Sequence, residues 1–209
     1  MSKVKQQSFL FRIRGKGLHE WVSLVASIPS LLKSRFYYPA IFAEFGARSI
    51  LAKPTLLVLP RHIHIGKDVV IRPGVRLEIV RDSTGRSPLL RIGNNTGIEQ
   101  NVHIVCHHRV TIGDNVSITG NCAIVDTTHP FDDIPSGIRV GSLITNDDAF
   151  VEIGDGTFLG FGSIVLPNVR IGKGCMIGAH SVVTRDIPDY SVAAGAPARI
   201  LRPIRKWKD

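Results

Sequence analysis

Aliphatic residues recur along this chain at a fixed step of six. They fall at Ile65, Ile71 and Leu77, at Ile92, Ile98 and Ile104, at Ile112, Ile118 and Ile124, and at Ile153, Leu159, Val165, Ile171, Ile177 and Val183. Glycine often follows the marked residue, as at Gly66, Gly93, Gly113 and Gly154. Four places after it stands a small or β-branched residue such as Val69, Thr96, Cys122, Ser163 or Cys175. A step of six fits neither the 3.6 of a helix nor simple alternation along one strand. It fits a coil with three short faces. Each face gives one aliphatic residue to an interior ladder, then turns at a corner where Gly or Asn takes φ > 0. About eighteen residues make one turn, and stacked turns build a parallel β-helix. Cys122 and Cys175 occupy the small interior slot, which makes them structural.

The repeat pauses after Ile124, at "VDTTHPFDD", and resumes near Val151. The segment between is polar and punctuated by Gly and Pro, as a surface excursion should be. Residues 78–93 read as a second outward loop. His107 and His108 fall in a two-residue excess between Ile104 and Ile112, and are expected to project from a bulged corner. Before the coil, Trp21, Leu24, Val25, Ile28, Leu31 and Leu32 lie at helical spacing, broken or kinked at Pro29. A solenoid needs its first coil covered, so this segment is expected to cap it. The alternative is an interfacial helix with Lys and Arg toward anionic lipid. The expected division is a basic, partly helical cap over 1–61, the β-helix over 62–190 and a basic tail over 191–209.

With 209 residues, 44% of them hydrophobic and 21% charged, the chain has the composition of one soluble domain with a modest N-terminal addition. It has no apolar run of about eighteen residues of the kind that crosses a bilayer. "FLFRIRGKG" breaks before a signal-peptide core could form. Three cysteines without motif spacing argue for a reducing compartment, so the expected location is cytoplasmic, with a peripheral place at the inner membrane face as the variant the basic N-terminus offers. The net charge of +9 gathers at the ends: residues 1–61 carry ten Lys and Arg against Glu20 and Glu44, and the tail carries Arg199, Arg202, Arg205, Lys206 and Lys208 against Asp209. Such a balance attracts polyanions, whether nucleic acid, acidic lipid or a phosphate-bearing small molecule. Aromatic interleaving for base stacking is absent, so no nucleic-acid role is expected.

The hexads over residues 62–186 resemble the hexapeptide-repeat acyltransferases. His129-Pro130, sixteen residues after Gly113, is similar to the step that precedes the loop in the galactoside and maltose O-acetyltransferase branch and in polysaccharide-biosynthesis O-acetyltransferases. The resemblance implies an all-β solenoid, a left-handed parallel β-helix with a short, partly helical N-terminal segment and an extended loop at about 129–150, assembled as a homotrimer. It implies an enzyme that uses acetyl-CoA as cosubstrate, with no metal. Transfer from a thioester to a hydroxyl needs a base that works near neutral pH, and imidazole is suited to it, so His129 is the catalytic candidate. A carbonyl or carboxylate should hold its second nitrogen, and Asp126 and Glu99 are both available. Glu99, Asp126, Asp132 and Arg139 are the acceptor-side candidates; Glu99 stands where the galactoside enzymes have a sugar-contacting Asn. The segment from Gly156 to Arg202 is similar to the family's coenzyme A end. There the amides of Phe161 and Ala179 would meet the pantetheine arm, Phe158 stands where relatives often have Trp, and Thr184, Arg185, Arg199 and Arg202 would answer the coenzyme's phosphates. The basic N-terminus tilts the acceptor toward surface-polysaccharide biosynthesis.

Two other classes share such a coil. The γ-type carbonic anhydrases hold zinc with three His, and His103, His107 and His108, with His62 and His64 nearby, supply candidates. Their Gly-His and His-Gly pattern is missing here, and the donor-end arginines would have no purpose. A non-catalytic scaffold would leave the His-Pro interruption without a use.

Overall fold

Each marked aliphatic residue lies in a short strand of two to four residues, and all fifteen have at most 3% of their surface exposed. One turn runs through Leu89–Ile92, Gly97–Ile98 and His103–Cys106, and the next through Arg109–Ile112, Ser117–Ile118 and Ala123–Val125. The chain visits three sheets in rotation, and every pairing between successive turns is parallel and in register. The interior therefore consists of three ladders. The first sheet stacks Ile65, Ile92, Ile112, Ile153 and Ile171. The second stacks Leu51, Ile71, Ile98, Ile118, Leu159 and Ile177. The third stacks Leu57, Leu77, Ile104, Ile124, Val165 and Val183. Full burial of one such side chain is worth about 1.5–3 kcal/mol, and here it is repeated turn after turn in one continuous core. The computed structural model describes residues 17–80, 87–145 and 148–204. Lys3, Lys5, Arg12, Arg14 and Lys16, the middle of the 78–93 stretch, and Arg205, Lys206 and Lys208 lie outside them.

Two residue types make the corners, for different reasons. The left-handed position falls three residues after the aliphatic one and is taken by Asn95, Asn101, Asn115, Asn121 and Asn168, with φ between 51° and 61°; Asn tolerates this region better than other side chains do. The glycine directly after the aliphatic residue serves close approach instead. A Cβ on Gly113 would sit 2.8 Å from the backbone nitrogen of Asp155 on the next turn.

The structure corrects several boundaries. The coil begins at Glu44 rather than at residue 62: Glu44–Phe45, Ile50–Leu51 and Leu56–Val58 form a full first turn that pairs with the second. Strands Arg76–Ile79 and Leu89–Ile92 occupy both ends of the 78–93 stretch, which confines the loop to 80–88. The segment 191–209 is not a simple tail. Ser191–Gly195 joins the second sheet in parallel, and Ala198–Pro203 folds back antiparallel on it. The N-terminal helix α1, Leu18–Leu32, runs through Pro29 without a break and continues into a wider turn, Lys33–Tyr37. Its apolar stripe does not cap the coil. The cap is an aromatic cluster in which Tyr38 and Phe42, 4% and 7% exposed, stack with Phe45 at centroid distances of 5.3–5.7 Å.

Gly113→Ala is expected to destabilise the fold by about 1–3 kcal/mol, because backbone must shift to admit the methyl. Gly97→Ala, where a Cβ meets nothing within 4 Å, is expected to be neutral or stabilising by up to about 1 kcal/mol. Urea titrations of the two variants check both.

Candidate active site

The interruption is an insertion at one corner, between the third sheet and the first. The chain leaves the coil after Val125 and returns at Phe150, whose strand pairs in register with Arg109–Ile112 of the turn before. Both feet of the loop are fastened to the same corner. Asp126 is fully buried, and its carboxylate accepts hydrogen bonds from the backbone N–H groups of His107 (2.6 Å), His108 (2.8 Å) and Arg109 (2.8 Å). Nδ1 of His108 lies 3.1 Å from the carbonyl of Ala149 at the other foot. The extra residues His107 and His108 thus form the turn on which the loop stands. His107 is buried, only 4% exposed, rather than projecting from the corner.

This corrects the reading of Asp126 as an acceptor contact or partner of His129, since both its oxygens are taken by amides inside the protein. The group that holds His129 is a backbone carbonyl. Nδ1 of His129 lies 2.6 Å from the oxygen of Leu143. A carbonyl can only accept, so Nδ1 carries a proton, and in the neutral ring the lone pair falls on Nε2. Two further contacts close the loop around this point: Thr145 N–H donates to the Thr128 carbonyl (3.2 Å), and the two threonine hydroxyls lie 3.3 Å apart. Leu143 was not readable from the sequence, because a main-chain acceptor leaves no mark on residue type. Asp132 and Arg139 lie on the exposed outer part of the loop.

A second feature sits on another corner. A groove of about 430 Å³ opens over the upper turns of the second sheet, lined by Thr119, Phe158, Phe161, Met176, Ala179 and Val192 among others. Its wall is almost wholly apolar, and three of the sequence candidates, Phe158, Phe161 and Ala179, meet in it. Within the described residues the amides of Phe161 and Ala179 make no backbone hydrogen bond. Glu99 belongs to the same corner column: Glu99 N–H bonds to Ile118, Thr119 N–H to Leu159, Gly160 N–H to Ile177 and Gly178 N–H to Ala193. Its carboxylate lies 3.7 Å from the guanidinium of Arg72. Arg202 pairs across the terminal hairpin with Val192 of the groove wall, and Arg199 with Ala194. Thr184 and Arg185 are exposed on the turn after the third-sheet strand Val182–Val183. Among the described residues no acid pairs with Arg185, Arg199 or Arg202. Met176, Val192 and Thr119 were missed as groove residues; the first two sit on strands and Thr119 just after one, at positions that the hexad pattern does not mark.

His129 and the groove therefore stand at different corners of one chain, separated by the width of the third sheet. The histidines weighed as zinc ligands do not converge. His103 lies on the outer side of the third sheet, His107 is buried, His108 faces Ala149 and His64 pairs with Glu44. Among the described residues no three His, Cys, Asp or Glu side chains come together as a metal site.

The coil of parallel hexads is the feature that this chain shares with known hexapeptide-repeat proteins. The family described as bacterial transferase hexapeptide (six repeats) matches residues 150–185. WbbJ of Escherichia coli K12, named for O-acetyl transfer in lipopolysaccharide biosynthesis, is 33% identical over 144 residues, which are 67% of this chain and 71% of that protein. The galactoside O-acetyltransferase of the same organism is 37% identical over 118 residues, 55% of this chain and 54% of that one. A hexapeptide-repeat acetyltransferase of Vibrio cholerae, solved with acetyl coenzyme A, superposes with a TM-score of 0.58 at 22% identity, over 96% of this chain and all of that one. The chain belongs to the bacterial hexapeptide-repeat transferase family. Five curated relatives, the galactoside enzyme among them, are matched over only 43% to 62% of their own length, so the chain spans about half of each.

Burial, with the charge of Asp126 adding to it, pushes the Cys106 thiol well above its ordinary range, and Cys122 and Cys175 are buried too. The native protein is expected to show no thiol that reacts with a disulfide reagent at pH 8, and the urea-unfolded chain all three. Removing the carboxylate in Asp126→Ala leaves one buried and two half-buried amides without their acceptor. We expect a loss of about 2–4 kcal/mol, read as a lower urea midpoint.

Proposed function

We propose that this chain is an O-acetyltransferase that moves acetyl from acetyl-CoA to a sugar hydroxyl, with His129 as general base. The observation that carries the reading is the His129–Leu143 contact, which fixes the tautomer and leaves Nε2 ready to take a proton. The acceptor O–H gives its proton to Nε2 as its oxygen bonds to the thioester carbon. The tetrahedral oxyanion is met by a main-chain amide of Phe161 or Ala179. The C–S bond then breaks, and the proton passes to the departing thiolate, with no acyl-enzyme. Residues of the groove would take the pantetheine arm through apolar contact and free amides. Thr184, Arg185, Arg199 and Arg202 would face the phosphates.

The separation of the two corners supports assembly as a homotrimer of left-handed coils. The third sheet, which lies between base and groove, turns Ala123, Val125, Ile164 and Val182 outward, all only part-exposed. Packing that face about a three-fold axis would bring the base corner of one subunit to the groove corner of the next. Glu99, on the groove's own column, and Asp132 and Arg139 on the loop are then the acceptor contacts. The likeness to WbbJ supports a surface polysaccharide or its precursor as acceptor, modified in the cytoplasm.

His129→Ala is expected to retain acetyl-CoA binding by calorimetry while losing about 10²–10⁴-fold in transfer to sugar acceptors. Equal activity of the variant would remove His129 from the mechanism, and loss of acetyl-CoA binding by the wild type would remove the donor site.

A further inference from the structure

Helix α1 is mounted inside out. At about 100° per residue, Leu18, Trp21, Val22, Val25, Ile28 and Leu32 share one side, and Ser23, Ala26, Ser27 and Ser30 share the other. The small side turns toward the coil at its C-terminal end, where Ser27 is half-buried and Ser30 buried while Ser23 and Ala26 stay exposed; with Leu31 it borders a cleft of about 460 Å³ against Ile50, Ala52, Val70 and Arg72. Ser30 is buried, and so is Ser34 just beyond, whose hydroxyl accepts the N–H of Leu51 at 3.0 Å. The large side faces away. Leu18 is 82% exposed, Val22 58%, Val25 60%, Leu32 54% and Phe36, on the following turn, 69%. A helix that served only to cover the first coil would present these side chains inward and its serines to water.

Charge decides what this face meets. Lys3, Lys5, Arg12, Arg14 and Lys16 precede the helix with no Asp or Glu among them, and Lys33 and Arg35 follow it. The acid within it, Glu20, accepts the Gly17 N–H at 2.7 Å. A second copy would bring another chain end of the same sign, seven cations against Glu20, to the same assembly. An anionic bilayer surface accepts both halves of the pattern, the apolar side chains below the headgroups and the cations among them. No helix among the described residues is long and apolar enough to cross a membrane, so this one lies in the interface plane. We infer that α1 docks the protein on an anionic lipid surface through Trp21, Val25, Ile28, Leu32 and Phe36. The inference is independent of the transfer chemistry.

The test uses the full chain carrying W207F, so that Trp21 is the only tryptophan, and vesicles of phosphatidylcholine with and without 30% phosphatidylglycerol, roughly the anionic content at which such electrostatic attraction operates. We expect sedimentation with the anionic vesicles, a blue shift of Trp21 emission on binding, and release by high salt. Val25→Ser with Ile28→Ser should weaken binding about tenfold or more, and Lys33→Glu with Arg35→Glu should do the same without touching the apolar face. Absence of binding to anionic vesicles would overturn the inference. So would a Trp21 emission already blue-shifted without lipid and red-shifting on dilution, which would mean that a second copy covers the face.

Discussion

The whole structure depends on the stacking of one aliphatic side chain per face directly over its counterpart one turn below. Because the strands of the coil up to Val183 are parallel and only two to four residues long, no strand pair there is stable by itself. Each gains its place from the Ile or Val ladder behind it and from the turns above and below. This makes the coil strict about its interior and permissive about its corners. An insertion that leaves and returns at one corner leaves every ladder intact, provided that its feet are tied. Here the tie is Asp126, whose buried carboxylate gathers three amides of the preceding corner.

The same logic places the His129 loop and the apolar groove. The loop that carries His129 is long and mostly exposed, yet its base is held by the Asp126 clamp and its middle by the contacts of Thr128 with Thr145 and of His129 with Leu143. Between the foot and the imidazole lie one main-chain hydrogen bond, Thr145 to Thr128, and the contact of the ring with the Leu143 carbonyl. The apolar groove needs no loop. It arises where small residues, Gly160, Gly178 and Ala179, keep one corner column thin, and where Phe158, Phe161 and Met176 wall it in. His129 and the groove stand on opposite edges of the third sheet, so on the proposed function an assembly of several copies would bring the two together.

The N-terminal segment follows a different rule. It covers the open end of the coil with Tyr38, Phe42 and Phe45, and it lays α1 along the second sheet by its serines. The first elements thus close the core with aromatic residues while holding a larger apolar surface outside it.

The interior was legible in the sequence because the step of six states which residue of each hexad is inward, and all fifteen marked residues are buried. The small interior slots and the corner insertion were legible for the same reason. His129 was singled out by its place before the excursion and by resemblance, Phe158 by resemblance, and Phe161 and Ala179 by their register within the resembling segment. What the sequence could not state was anything that turns on direction in space. The hexad pattern begins only where Ile and Gly become regular, so the first turn at Glu44 was hidden by its irregular residues. Asp126 looked like a site acid, and only the fold shows its oxygens closed inside a corner. The partner of His129 is a carbonyl, which every residue owns. Helical spacing gave α1 an apolar side, but which side meets the coil depends on the fit of small side chains against Leu51 and its neighbours. That is decided by packing between elements distant in sequence, and no local pattern records it.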